Sequence, residues 1–307
     1  MTAPLAPRDA TELAGIVRDA HAARTRLRFT AAGTWAGAGT PAGRIAPDAR
    51  PVSLTGLAGI VAYVPADLTM TVRAGTTLAE LDAATARHNQ WCPLLPWGDD
   101  SATVGATFAT ATSGPCAAAL GRPRDIAVGV QFVDGTGMIV RGGGRVVKNV
   151  AGFDLTRLMV GAFGTLGAIT EVSLRLRARP AVDVTLLVTA SGPDAAARLA
   201  SIRRGTIAPL ACELLDGATA AALGLPGSSA LVRLGGNAAL VAAARTQAAA
   251  AGDVRDADPA VWTRLRALDP HSRQLDGCAF GGAVASRIKA RFDPARILNP
   301  GVFGEDA

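Results

Sequence analysis

Apolar residues recur with helical spacing near the start of the chain. Leu13, Ile16 and Val17 lie three or four positions apart or adjacent within residues 9–24, and charged residues fill much of the remainder. This spacing places the apolar side chains on one face of a helix. The pattern therefore predicts an amphipathic helix over residues 9–24.

Short apolar runs separated by glycine, proline and polar residues follow this helix. They predict strands at residues 27–30, 51–54, 59–64, 69–73, 126–133 and 138–141. Helical spacing returns at residues 77–89, and the Asp-Gly-Thr-Gly sequence at 134–137 predicts a hairpin turn. Between residues 96 and 121 the chain is nearly free of charge and rich in Gly, Ala, Ser and Thr.

The composition changes near residues 179–180, which we interpret as a domain boundary. Beyond it the patterns predict a strand at 182–189, a helix at 194–203, strands at 211–215 and 230–234, and a helix at 238–250. Two more helices are predicted at 259–268 and 282–291. This order indicates an α+β class, because strands and helices do not alternate regularly as in a parallel sheet. We divide the chain into residues 1–180, 181–285 and 286–307.

Composition excludes several functional classes. Hydrophobic residues make up 49% of the 307 positions, but no run of about 18 strongly apolar residues predicts a membrane span. The first 28 residues carry charge throughout and do not resemble a secretion signal, so we expect a cytoplasmic protein. The net charge of +6 comes mainly from scattered arginines, which favours an anionic cofactor, substrate or acidic partner over nucleic acid.

The cysteines provide no metal-binding pattern. Cys92, Cys116, Cys212 and Cys278 are far apart and form no C-x-x-C pair. Zinc and iron–sulfur sites commonly use such closely spaced pairs. We therefore predict no metal site and interpret the four residues as buried thiols.

Three segments have the composition of a backbone cradle. They are residues 30–35, residues 102–114 and residues 161–167. Consecutive amides in a turn of small residues can bind a diphosphate, and glycines allow a flat ring to approach the backbone. Each segment alone is also compatible with an ordinary turn. The G-x-G at 37–39 lacks the third glycine and the following helix of a dinucleotide-binding fingerprint.

The order of these segments resembles the FAD-binding superfamily of vanillyl-alcohol oxidase and p-cresol methylhydroxylase. The resemblance includes residues 30–35, 72–81, 102–114, 124–126 and 148–171 (KNVAGFDLTRLMVGAFGTLGAITE), and the ending at 289–294 and 299–301. The 148–171 block is most similar to the FAD-binding subunit of bacterial glycolate oxidase. It implies a two-subdomain FAD-binding domain with an α+β cap, which is reduced here because residues 181–285 provide about half of a usual cap.

The resemblance also implies roles for individual residues. Backbone amides of the first segment would contact the diphosphate: Ala31, Ala32, Gly33, Thr34 and Trp35. The second segment would line the isoalloxazine and ribityl side: Pro96, Ser101, Thr103, Val104, Gly105, Thr110 and Gly114. The third would form the opposite wall and the adenine end: Gly161, Gly164, Thr165, Gly167 and Ile169.

Two departures from the family pattern affect these expectations. Ala31 and Ala32 stand where the family commonly has glycine, which restricts the backbone and lowers the expected affinity for FAD. No histidine or cysteine lies in the loop where it could tether the flavin, so we predict dissociable FAD. Of the three histidines, His271 is the candidate catalytic residue because it lies near the return to the FAD-binding domain.

These features lead to three hypotheses of function. The first is an FAD-binding subunit of a glycolate-oxidase-like complex, with a second flavin subunit, an iron–sulfur subunit and a small 2-hydroxy acid as substrate. The second is a self-sufficient FAD-dependent dehydrogenase of 2-hydroxy acids or alcohols. The third is a scaffold subunit that has lost FAD, which the Ala31-Ala32 sequence alone favours.

Overall fold

The computed structural model describes residues 3–34, 45–144, 154–268 and 283–303. The first part contains α1 (Ala10–Ala23), β1 (Leu27–Thr30), β2 (Arg50–Ser53), β3 (Ile60–Val64), β4 (Thr69–Arg73), α2 (Leu78–Ala86), β5 (Gln90–Trp91), α3 (Val104–Thr110), α4 (Ala117–Leu120), α5 (Pro123–Ile126), β6 (Ala127–Val133), β7 (Ile139–Gly143), α6 (Leu155–Met159), β8 (Ala168–Arg175) and β9 (Arg177–Ala178). The second part contains β10 (Val182–Thr189), α7 (Ala195–Ser201), β11 (Ala211–Leu215), α8 (Gly217–Ala222), β12 (Ser229–Gly236), α9 (Ala238–Ala249), β13 (Asp253–Asp256), α10 (Val261–Leu268) and α11 (Ala283–Phe292).

The N-terminal layer packs α1 against the parallel pair of β1 and β2. Asp9 is the N-cap of α1, and its carboxylate accepts hydrogen bonds from the amides of Thr11 and Glu12. Leu13 and Val17 are fully buried in an apolar cluster that also contains residues of β1 and β2. The same cluster includes residues 297 and 298, so the C-terminal segment packs against this layer.

A five-stranded antiparallel sheet forms the second layer, with strand order β3-β4-β8-β6-β7. Its main core combines residues of β4, β6 and β8 with residues of α2 and α3. The predicted turn at 134–137 is confirmed, because it connects β6 to β7 and the Asp134 carboxylate accepts the amides of Thr136 and Met138. A separate two-stranded pair joins β5 to β9.

The small-residue segment at 102–114 contains a helix that the sequence did not predict. Thr103 caps α3 by accepting the amide of Ala106, and α3 buries Val104 and Phe108. A side chain on Gly105 would lie 2.5 Å from Cβ of Ala74, so glycine allows α3 to approach the end of β4. Threonine and glycine are poor helix formers, so propensity gave little signal and packing decides the structure.

A second, four-stranded antiparallel sheet follows residue 180, in the order β11-β12-β10-β13. The predicted strand-helix-strand-strand-helix order was incomplete, since α8 lies between β11 and β12 and a fourth strand, β13, pairs with β10. Strand β13 has the sequence DVRD and lies at an edge. It has no apolar run, so its backbone pairing could not be read from the hydrophobic pattern.

We call the four-stranded sheet and its helices the cap. Helix α10 connects the cap to the preceding part of the chain. Arg266 is 3% exposed, and its guanidinium donates to the Pro96 carbonyl and the Asp100 carboxylate, both at 2.6 Å. The Gly98 amide in turn donates to the Arg266 carbonyl at 3.0 Å. These contacts hold the 96–100 loop against the cap.

The described residues form a mixed α/β structure. The division at residues 180 and 285, and the reduction of the cap, stay predictions. Among the described residues, no helix is both long enough and apolar enough to span a membrane.

Candidate functional site

Two adjoining cavities lie beside the glycine-rich segments. An inner cavity of about 300 Å³ is bounded by the end of β1, the following loop, α3 and residues 163–169. An outer cavity of about 880 Å³ lies between residues 110–124 and the cap. Thr110 and Phe163 line both cavities, so the two cavities adjoin each other.

The loop after β1 lines the inner cavity with backbone polar groups. The amides of residues 31–34 donate no hydrogen bond to any other described residue. Gly33 has a φ of +77°, a conformation that glycine adopts without strain. Amides that are grouped in one turn and have no acceptor among the described residues are suited to an anionic ligand.

The start of α3 faces the same cavity, but its amides already have partners. The Val104 amide donates to the Thr76 carbonyl at 2.8 Å, and the Gly105 amide donates to the Ala74 carbonyl at 2.7 Å. Helix α3 therefore contributes shape, whereas the loop at 31–34 contributes hydrogen-bond donors.

Asn299 connects the cavity walls. Its side-chain nitrogen donates to the Phe163 carbonyl at 2.7 Å, and its side-chain oxygen accepts the Phe29 amide at 2.8 Å. A side chain on Gly164, which has a φ of +72°, would come within 2.6 Å of the Asn299 amide nitrogen. The C-terminal segment therefore determines the distance between β1 and the 161–167 segment.

A buried ion pair between Lys289 and Asp293 holds the segment that precedes Asn299. Lys289 Nζ donates to the Asp293 carboxylate and the Thr165 carbonyl, each at 2.8 Å, and to the Leu298 carbonyl at 3.2 Å. The Asp293 carboxylate also accepts the amides of Ile297 and Leu298. Asp293 is fully buried, and these donors offset the cost of burying its charge.

The cap contributes a charged pair to the outer cavity. Arg203 and Glu213 both line it, and their charged groups are 3.7 Å apart. Cys212 also lines the outer cavity, and burial raises the pKa of its thiol. The outer cavity thus combines a cation, a carboxylate and a protonated thiol on its cap side.

The structure brings together many of the residues that the sequence singled out. The inner cavity is lined by Ala31, Gly33, Thr34, Thr103, Gly105, Thr110, Gly164 and Ile169. The outer cavity is lined by Thr110, Gly114 and Gly161. The lining of neither cavity includes Ala32, Pro96, Ser101, Val104, Thr165 or Gly167. Trp35 and His271 lie outside the described residues.

The residues away from the lining have structural contacts. Val104 is fully buried in the core, and the Thr165 hydroxyl donates to the Ala162 carbonyl. A side chain on Gly167 would lie 2.6 Å from the Phe132 ring. The Pro96 carbonyl accepts from Arg266, as described above. Their direct contact with a cofactor stays a prediction.

Lining residues to which the sequence analysis gave no role include Arg28, Phe163, Glu213 and Asn299. Asn299 lay in the Asn-Pro-Gly ending and Phe163 in the 161–167 segment, so their signal was present but their role was not recognised. Arg28 and Glu213 carry no local signal. Arg233 of β12 forms a two-pronged ion pair with Asp183 and lies over the Trp91 ring.

The histidines of the described residues lie away from both cavities. His21 Nδ1 is 2.9 Å from the Gly135 carbonyl, and the His88 ring packs against Tyr63. The described residues also contain no group of three or more His, Cys, Asp and Glu side chains placed to hold a metal ion.

Comparison with known proteins agrees with this geometry. Residues 2–143 match the model of the FAD binding domain, and residues 281–303 match that of the C-terminal domain of FAD linked oxidases. The glycolate oxidase subunit GlcE of Escherichia coli is 42% identical over 130 residues, which cover 42% of this chain and 37% of that protein. The glycolate oxidase subunit GlcD of Bacillus subtilis is 35% identical over 175 residues, covering 55% of this chain and 37% of that protein.

Two other similarities are informative. A D-lactate dehydrogenase of Archaeoglobus fulgidus is 40% identical over 103 residues, covering 34% of this chain and 23% of that protein. A solved structure of alkyldihydroxyacetonephosphate synthase shares the fold with a TM-score of 0.71 at 18% identity, over 86% of this chain and 55% of that one. The matched regions span about a third of each glycolate oxidase subunit.

These matches confirm the resemblance drawn from the glycine-rich segments. They fall on the loop at 31–34, on α3 and on the Asn299 segment, which together bound the inner cavity. These are domains of FAD-dependent oxidoreductases. The chain therefore carries an FAD binding domain of the vanillyl-alcohol oxidase and p-cresol methylhydroxylase type, together with the C-terminal segment of the FAD-linked oxidases, and FAD is its cofactor.

Proposed function

We propose that this chain is the FAD-binding subunit of a complex that oxidises a small 2-hydroxy acid. FAD, when bound, supplies the acceptor for the two electrons removed from the substrate carbon. The chain's own residues bind and orient this group and shield it from water. The pair of adjoining cavities beside the glycine-rich segments is the observation that supports this function most directly.

We place the diphosphate of FAD over the loop at 31–34 and the flavin ring in the outer cavity. The amides of the loop, which have no acceptor among the described residues, support the first placement. The volume of the outer cavity, about 880 Å³, and its glycines, Gly114 and Gly161, support the second. Thr110 and Phe163 then lie between the two ends of the cofactor, since both line both cavities.

The described part of the outer cavity favours a subunit over a complete enzyme. Oxidation of a 2-hydroxy acid needs a base for the hydroxyl proton, and histidine is the commonest choice. No histidine lines the cavity among the described residues. We propose that partner subunits complete the reaction: a second flavin subunit and an iron–sulfur subunit that accepts the electrons. The complex would be cytoplasmic, either free or held at the inner face of the membrane through those partners.

We propose that FAD binds without a covalent bond. Cys212 lines the outer cavity, and burial raises the pKa of its thiol, so the thiol stays protonated and weakly nucleophilic at neutral pH. Denaturing the yellow holoprotein should release all of the flavin into the supernatant. Flavin that remains with the precipitated chain would show a covalent bond.

One observation favours the alternative of a self-sufficient 2-hydroxy-acid dehydrogenase. Arg203 and Glu213 face the outer cavity together, so the guanidinium could bind a substrate carboxylate while the carboxylate accepts a proton. In the first proposal, the same pair only stabilises the cap. The two proposals differ in whether the chain reacts alone.

An absorption spectrum followed by anaerobic reduction distinguishes them. A purified chain that binds FAD but is not reduced by glycolate or D-lactate, and becomes reducible when the partners are added, supports the subunit proposal. Reduction by the chain alone, lost in Glu213→Gln but kept in Asp253→Asn on the exposed edge of the cap sheet, would support the alternative. A colourless chain that takes up no added FAD would exclude both and leave the scaffold hypothesis.

A further inference from the structure

We infer that Arg28 is a cationic contact for the diphosphate of FAD, acting together with the amides of the loop at 31–34. This inference rests on the proposed binding of FAD along the two cavities. It adds a charged side chain to a site that otherwise binds its anion through the backbone.

The strand geometry directs Arg28 towards the inner cavity. Successive side chains of a strand point to opposite faces, so Arg28 and Thr30 share one face of β1. Leu27 on the other face is buried in the apolar cluster beneath α1. Arg28, Thr30 and Thr34 all line the inner cavity.

Arg28 lacks the partner that an arginine in such a place requires. Its Nε atom is buried and has no hydrogen-bond acceptor within the described part of the chain. By contrast, the buried Arg266 is paired with Asp100, and the half-buried Arg233 is paired with Asp183. A guanidinium stays charged at any physiological pH, so an unpaired buried nitrogen destabilises the protein until an anion binds.

The surroundings of Arg28 favour an anionic ligand. Of the described residues that line the inner cavity, Arg28 alone is charged, and none is acidic. Its guanidinium can donate two parallel hydrogen bonds to phosphate oxygens. The loop it precedes has Ala31 and Ala32 in place of glycines, and a charge at Arg28 offsets the loss of close backbone contact.

The test compares Arg28→Met, which removes the charge and keeps much of the length, with Arg28→Lys and with Arg26→Met. Arg26 lies two residues earlier and pairs with Asp48 on the surface, so its substitution is a matched control. Dissociation constants are measured by calorimetry for FAD and ADP, which carry the diphosphate, and for riboflavin and adenosine, which do not. The melting temperature of each apoprotein is measured in parallel.

We expect Arg28→Met to weaken binding of FAD and ADP by about tenfold to a hundredfold, the range for losing a charged hydrogen bond. Binding of riboflavin and adenosine should stay unchanged, and Arg28→Lys should be intermediate. The Arg28→Met apoprotein should melt at the same or a higher temperature, because an unpaired buried group is removed. A purely structural arginine would instead lower the melting temperature and weaken all four ligands together.

Two failures are distinguishable. Wild-type affinity for FAD and ADP in Arg28→Met, or an equal loss for all four ligands, overturns this inference and leaves the proposed function standing. A wild-type chain that binds neither FAD nor ADP overturns the proposed function and this inference together.

Discussion

Replacing Lys289 with methionine tests how the C-terminal helix supports the cofactor cavity. Lys289 is 5% exposed and its ammonium contacts the Asp293 carboxylate and the carbonyls of Thr165 and Leu298. Methionine fills similar space but donates no hydrogen bond. The substitution therefore leaves a buried carboxylate without its cation and two carbonyls without a donor.

Breaking a buried ion pair from one side costs about 3–5 kcal/mol of unfolding free energy. Asp293 keeps the amides of Ile297 and Leu298, which still stabilise its charge. We therefore expect a loss of about 3 kcal/mol, at the lower end of that range. The affinity for FAD should also fall, because Thr165 and Leu298 adjoin the segments that line the inner cavity.

The measurement is urea unfolding of the apoprotein by circular dichroism, with FAD titration of the folded variant. Arg291→Met is the matched control, since Arg291 is an exposed residue of the same helix and should change stability by less than about 0.5 kcal/mol. Combining Lys289→Met with Asp293→Asn removes both charges and should recover about 1–3 kcal/mol relative to the sum of the single losses. A loss below about 1 kcal/mol in Lys289→Met would refute the reasoning.

Three further predictions concern packing, the cap and a buried thiol. Gly105→Val should lower the free energy of unfolding by about 1–3 kcal/mol, because the new side chain overpacks the contact with the end of β4. Gly217→Ala is the control: its Cβ would lie in open space, so its free energy of unfolding should be unchanged in the same urea assay. Arg266→Met should loosen the cap and speed proteolysis of the 96–100 loop, whereas Arg264→Met, whose ion pair is exposed, should leave the cleavage rate unchanged. Burial raises the pKa of Cys92 to about 12, so its thiol should resist a thiol reagent at pH 8 until urea unfolds the chain. The buried, protonated thiol contributes stability in full below pH 9, and this contribution should be lost as pH rises towards 12. Equal rates of cleavage in Arg266→Met and Arg264→Met would contradict the prediction for the cap. Labelling of Cys92 in the folded protein would contradict the prediction for the thiol.

Local sequence patterns were sufficient to predict the elements that have one apolar face or a characteristic turn. The helix at the start of the chain, the hairpin after β6 and the cap strands β10, β11 and β12 agree with the predicted positions to within a few residues. In each of these elements, the spacing of hydrophobic residues or the identity of the turn residues indicates the structure directly. The order of the glycine-rich segments likewise led to the cofactor through the family resemblance, which the comparisons confirm.

Elements stabilised by their neighbours could not be predicted in this way. Strand β13 is polar and forms because β10 offers an edge, and α3 forms from threonine, glycine and alanine because Val104 and Phe108 enter the core. Intrinsic preference is weak in both segments, so tertiary contacts decide.

For the candidate site, the sequence determined the cofactor class through its resemblance to a known family. The tertiary structure decided which side chains complete the cavities. Asn299 lies 270 positions from Phe29 and 136 from Phe163, and its side chain bonds to both backbones. Arg28 Nε has no acceptor among the described residues, and this too is a property of the cavity around it. Contacts over such distances leave no periodic pattern, because they depend on how separate elements pack rather than on the spacing of residues within one.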